Sequence, residues 1–145
     1  MKKKILSASF ICFSLFSCGN KEKRPSSATD NNVGEICFEQ KEGDDIVFVT
    51  LLISGDSIHG TMVKDRFETD NHTGNLIGTF NDGLIKAEYS FNSEDIHYIN
   101  QMEFKLSGDT LYQATGEMEE QNGKFIFKDA SQLKYDDILL RVKCK

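Results

Sequence analysis

The chain is short of the features that most often announce an activity. It contains one proline in 145 residues, Pro25, and none from Glu35 to the end. It has no G-x-S-x-G elbow, no phosphate-binding P-loop, no H-E-x-x-H and no paired-cysteine metal motif, so none of those chemistries has its residues in place. The three histidines, His59, His72 and His97, are scattered. His72 falls in the longest expected turn, Asp70–Gly74, which lacks the acidic spacing of a calcium loop. His59 and His97 fall on expected strands, opposite the apolar side chains. The reading therefore calls for no catalytic residue, no metal and no cofactor. A helical period is also missing, as is any run of about 20 apolar residues that could span a bilayer.

What the first residues do contain is an export signal. Lys2, Lys3 and Lys4 precede an apolar stretch of 12 residues, Ile5 to Phe16, and Ser17, Cys18 and Gly19 follow it. The run Leu15-Phe16-Ser17-Cys18-Gly19 resembles the lipobox of bacterial lipoproteins, with Phe16 in place of the smaller residue commoner there. The resemblance implies diacylation of the Cys18 sulfur and cleavage before it, giving a lipid anchor. Gly19 after that cysteine resembles the outer-membrane sorting preference of some bacteria, so the expected location is the cell envelope at the outer membrane. Each buried methylene adds about 0.8 kcal/mol to membrane affinity, which makes an anchor of several acyl chains durable.

Beyond Cys18 lie 127 residues, a size suited to one domain. With the three leader lysines set aside, 14 basic side chains face 23 acidic ones, a formal charge of −9. Such a surface repels phosphate backbones and argues against nucleic acid as a partner. Residues 19–34, GNKEKRPSSATDNNVG, read as a flexible tether reaching roughly 20–24 Å. Cys12 leaves with the leader and Cys18 takes lipid, which leaves Cys37 and Cys144. Outside the cytoplasm these two are expected to pair and to tie the two ends of the domain together.

From Glu35 onward, turn signals recur every 10 to 14 residues: Gly43-Asp44, Gly55-Asp56, Asp70–Gly74, Asn81-Asp82-Gly83, Ser93-Glu94-Asp95, Gly108-Asp109 and Asn122-Gly123. The runs between them are rich in Ile, Val, Phe, Tyr and Thr. Strands are expected at 35–41, 45–54, 57–67, 75–81, 84–93, 96–106, 110–119, 124–128 and 137–144, with one helical turn capped by Asp129 and plugging a barrel end. Period-two alternation puts Ile85, Ala87, Tyr89 and Phe91 on one face, and likewise Tyr98, Met102, Phe104 and Leu106. The expectation is an all-β, antiparallel up-and-down meander of eight or nine strands closing as a barrel, with a two-sheet sandwich as the alternative. The strand set resembles small lipocalin- or calycin-like barrels. The chain as a whole resembles small single-domain bacterial lipoproteins on Cys37, Gly74 to Gly78, Ala87-Glu88-Tyr89-Ser90-Phe91 and Cys144; that resemblance brings no catalytic residue with it.

The candidate site is the barrel interior, lined by Tyr89, Phe91, Tyr98, Asn100, Met102 and Tyr112. Asn100 is an amide on an otherwise apolar face and must find a partner. Strand 110–119 admits two registers, and the more apolar one, burying Tyr112, Ala114, Gly116 and Met118, is preferred. Two functional classes follow. One is a membrane-anchored, non-enzymatic envelope lipoprotein that binds a small apolar ligand or a protein partner. The other is a structural or interaction lipoprotein with a filled core, such as an inhibitor of a secreted enzyme. Asp56-Ser57-Ile58 and Asp109-Thr110-Leu111 resemble an O-glycosylation triplet of some bacterial lineages, but both sit where turn chemistry already explains them.

Overall fold

The computed structural model describes residues 34–67 and 71–145. The leader, Cys18 and the tether as far as Val33 lie outside the described residues. Ten strands follow in order: β1 (Glu35–Glu42), β2 (Asp45–Ser54), β3 (Ser57–Asp65), β4 (His72–Asn81), β5 (Leu84–Ser93), β6 (Ile96–Ser107), β7 (Thr110–Thr115), β8 (Met118–Gln121), β9 (Lys124–Phe127) and β10 (Lys134–Val142). Each of β1 to β6 pairs antiparallel with its successor, β7 pairs with β10, and β10 pairs with β1. Eight strands thus close into an antiparallel barrel. Closure leaves none of these eight as a free sheet edge over its whole length.

Tight turns set the registers. Asp82 and Gly83 both take positive φ, 48° and 81°, the pair of angles a two-residue hairpin needs to match strand twist. Asn81 therefore faces Leu84, and every pair along β4 and β5 follows from that start. The alternation read from sequence in β5 and β6 is the one observed: Ile85, Ala87, Tyr89 and Met102, Phe104 are buried. With Phe38, Val49, Leu51, Ile58, Met62, Leu76, Leu111 and Leu139 they form one continuous core inside the barrel.

The closure expected for the chain ends is present. Cys37 and Cys144 form a disulfide across 107 positions, with Cα atoms 5.2 Å apart, and the strands beside them, β1 and β10, are hydrogen-bonded neighbours.

The meander is interrupted once. The expected strand 110–119 splits at Gly116-Glu117, and β8 with β9 swings out of the barrel as a separate hairpin. Its Met118-Glu119-Glu120-Gln121 strand is too polar on both faces to serve as a barrel wall. The hairpin is joined to the barrel by one parallel pairing, Asn100 with Phe125, by the Phe127 amide, which donates to Gln101 Oε1 at 3.0 Å, and by the ion pair of Lys124 with Glu88 on β5. β10 takes the vacated place beside β7, with a bulge between Lys134 and Asp137.

This rearrangement corrects the register preferred for β7. Leu111 is the fully buried residue, in line with Leu106 and Leu139, whereas Tyr112 pairs with Lys105 and Ile138 on the outer wall. Ala114 is buried as well, although it stands on the opposite face from Leu111. The helical turn is a single 3₁₀ turn, Ala130–Gln132, capped as expected by Asp129, whose carboxylate accepts from the Ser131 amide at 2.8 Å. It does not plug the barrel end. Leu133 closes over Gly116, and Tyr135 lies on the outer wall with its hydroxyl bonded to Glu103 and its ring under the Lys105 ammonium.

Candidate functional site

The barrel interior has two chemically different ends. Near the β1 and β10 disulfide, its inward side chains are aliphatic or phenyl: Ile36, Ile53, Ile58, Phe80, Leu106 and Leu111. At the opposite end the same inward positions carry Lys64, His72, Phe91, Tyr98, Asn100 and Asp137, all only partly buried. Parity alone places them. Lys64 follows Ile58 and Met62 along β3, His72 precedes Gly74 and Leu76 on β4, and Asp137 precedes Leu139 on β10. Solvent therefore reaches a mouth lined by rings and polar groups, above a closed aliphatic floor.

Five of the six residues expected to line the site converge here. Phe91 pairs with Tyr98, Tyr89 with Asn100 and Ala87 with Met102 across β5 and β6. Tyr112 does not join them, since it faces outward. The rings form a near-parallel series: Tyr89 and Phe91 have centroids 4.8 Å apart, and Phe91 and Tyr98 5.4 Å, with interplanar angles of 24° and 20°. His72 extends the series by stacking on Phe91 at 4.3 Å, and Phe125 of the β9 hairpin approaches Tyr98 at 6.4 Å.

Gly74 makes this packing feasible. A Cβ there would stand 2.6 Å from Tyr89 Cε2 and 2.3 Å from the Ser90 carbonyl oxygen. With no side chain in the way, Tyr89 lies across β4, and its hydroxyl donates to the Met62 carbonyl oxygen on β3 at 3.1 Å. Tyr89 is fully buried, and burial pushes its phenol up to about 12. Its hydroxyl is thus already used, and the residue serves as the floor of the mouth.

Two groups at the mouth make no hydrogen bond or ion pair with the described residues. Asn100 Oδ1 is buried and accepts no hydrogen bond among the described residues. Such an oxygen costs roughly 1–3 kcal/mol if nothing meets it. The Lys64 ammonium lies 5.7 Å from the Tyr89 ring centroid and makes no ion pair within 4.0 Å among the described residues. Burial holds it below the usual lysine range; nearby Arg66 adds to that, and Asp137 opposes it.

Three of these residues were missed in the sequence. His72 looked like a solvated loop residue because the Asp70–Gly74 run reads as a turn, yet β4 already begins at His72. Lys64 and Asp137 break apolar runs, so their charge disguised positions that period two would have put inside. His59 and His97 stay on the outer face, as expected.

A concavity of about 830 Å³, open to solvent, lies on the outer wall between β4–β6 and the β9 hairpin, with Ile77, Lys86, Glu88, His97, Ile99 and Lys124 among its lining. Its Lys124 and Glu88 are paired with each other. No group of three or more His, Cys, Asp or Glu gathers in a metal-binding arrangement among the described residues. Compared with known proteins, the chain matches no protein family, no curated protein and no solved structure.

Proposed function

We propose that the protein is a membrane-anchored lipoprotein of the bacterial envelope whose barrel holds a small ligand at its polar-aromatic end, without catalysing a reaction on it. The carrying observation is the Asn100 side chain, set opposite Tyr89 and two positions from Tyr98, whose buried carbonyl oxygen has no hydrogen-bond partner among the described residues. A core that only had to be full would be better served there by leucine. Retaining an amide is consistent with an orienting group in a pocket that is otherwise apolar. The anchor rests on Cys18 and the leader before it, and the acidic surface on the excess of Asp and Glu.

The test is native mass spectrometry of the full chain extracted under mild conditions. The expected result is an adduct of a few hundred daltons beyond the acylated mass, released on denaturation. Absence of any adduct, together with refusal of small aromatic compounds added to the protein, would favour the filled-core interaction protein, whose working surface would be the outer groove. Metabolic labelling with an acyl-chain probe checks the anchor separately: label is expected on the wild type and absent from Cys18→Ala.

A further inference from the structure

The depth of the mouth restricts what fits. Below Tyr89 and Met102 the interior is solid, with Leu51, Ile58, Leu76, Ile85 and Phe104 all without solvent exposure. From Tyr98 to Met102 the wall runs four residues, roughly 13 Å at about 3.3 Å per residue. That accommodates one or two fused rings and is too short for a long acyl chain in extended form. The lining says more. His72, Phe91 and Tyr98, the half-buried members of the stacked series, keep exposed edges and outer ring surface against which a flat molecule packs offset or edge-to-face. Asn100 Oδ1 can only accept, so it asks for an N–H or O–H donor. Lys64 can only donate, and it is the cation facing inward at this end.

We propose, resting on the reading of the interior as a ligand site, that the ligand is a small planar aromatic acid bearing an N–H or O–H donor, its anionic group held by Lys64 and its donor by Asn100. Asp137 faces the same interior and attracts Lys64 from across the barrel, beyond ion-pair distance. An anion arriving at Lys64 supplies the contact that Asp137 does not. Desolvation strengthens that contact over what a surface lysine offers, because the effective dielectric is lower there.

A pair of probes isolates the charge: indole-3-acetate and its neutral analogue indole-3-acetamide. The chain has no tryptophan, so indole emission reports the probe alone, and its anisotropy can be followed as full-length protein is added. The acetate should bind one-to-one and at least ten-fold more tightly than the amide. Lys64→Met keeps the length of the stem and removes the charge; it should bring the acetate to the level of the amide and leave the amide unchanged. Thermal unfolding of this variant verifies that the fold is kept. Asn100→Leu should weaken both probes by a similar factor. Equal affinity of the two probes for the wild type, or a ratio that survives Lys64→Met, overturns the assignment of an anion while leaving an interior site standing. Failure of both probes to bind overturns the aromatic acid itself, and the adduct seen or not seen in native mass spectrometry then decides separately whether the interior is a ligand site.

Discussion

Replacing Asn100 by leucine tests the central argument with the fewest assumptions. Its Oδ1 is buried and unbonded, and no described side chain or backbone group depends on the Asn100 amide for a hydrogen bond. The backbone pairings with Tyr89 and Phe125 do not involve the side chain and persist. Leucine keeps the branched skeleton of four side-chain heavy atoms, so no cavity is left, and its bulkier methyl groups are accommodated because the position is only partly buried. What changes is the desolvation cost of one unsatisfied carbonyl, roughly 1–3 kcal/mol, which disappears. Leucine also adds apolar surface against Phe125 and Tyr98. The expected outcome is stabilisation by about 1–2 kcal/mol, since the residue is only partly buried. For a domain of about 100 residues, 1 kcal/mol moves the midpoint by roughly 4–8 °C, so a rise of about 5–10 °C should appear in calorimetry. The disulfide must be kept intact throughout, because its loss would mask a shift of that size. A fall in the midpoint would mean that the amide holds its neighbours together, and the argument for a ligand at this position would go with it.

Removing the covalent closure should cost far more. Cys37→Ser opens a bond that spans 107 positions, for which chain entropy gives about 4–5 kcal/mol and typical losses are 2–5 kcal/mol; urea unfolding of the variant and of the reduced wild type should show the same lowered midpoint, and an unchanged midpoint would contradict the model of an end-to-end staple. Tyr89 sets an alkaline limit. Its phenol rises from 10.0 to about 12 on folding, so its contribution is fully present below pH 10, where both states are protonated, and is lost as pH climbs towards 12 because only the unfolded chain gives up the proton. The loss approaches about 2–3 kcal/mol by linkage, and Tyr89→Phe should flatten that limb while costing about 1 kcal/mol at neutral pH through the Met62 hydrogen bond. Parallel alkaline profiles for the two proteins would show that Tyr89 is not the group responsible.

Much of the barrel could be read from local chemistry. Gly43, Gly55, Asp82-Gly83, Gly108 and Asn122-Gly123 each sit at a turn and each adopts positive φ, so strand boundaries fell within a few residues of those observed. β5 and β6 were legible because one face is packed and the other largely wet, which is the condition for clean alternation. β7 was not, because both of its faces are covered: Leu111 and Ala114 stand on opposite faces and both are buried. Glu103 makes the same point. It stands on the outer face as its parity requires, yet it is 6% exposed because Tyr135 and Lys86 close over it, and nothing near position 103 in the sequence announces a tyrosine 32 residues later. The excursion of β8 and β9 was illegible for a related reason. Asn122-Gly123 marks a hairpin but says nothing about whether that hairpin belongs to the wall. In the site itself, the aromatic and amide residues were found by alternation, whereas Lys64, His72 and Asp137 escaped because charge and turn chemistry argued locally against the inward position that period two assigns them.

The disulfide has a mechanical consequence. A tug applied to the chain ahead of Glu35 enters the barrel at β1, which in most sheets would peel away one hydrogen bond at a time. Here Cys37 hands the load across sulfur to Cys144 and β10, so the first and last strands cannot part, and the wall behaves as a hoop that has no loose end from which to unravel. To open it by force, two neighbouring strands elsewhere in the ring must shear along their whole length at once. A domain built this way can be pulled about by whatever holds its amino terminus and keep its interior intact.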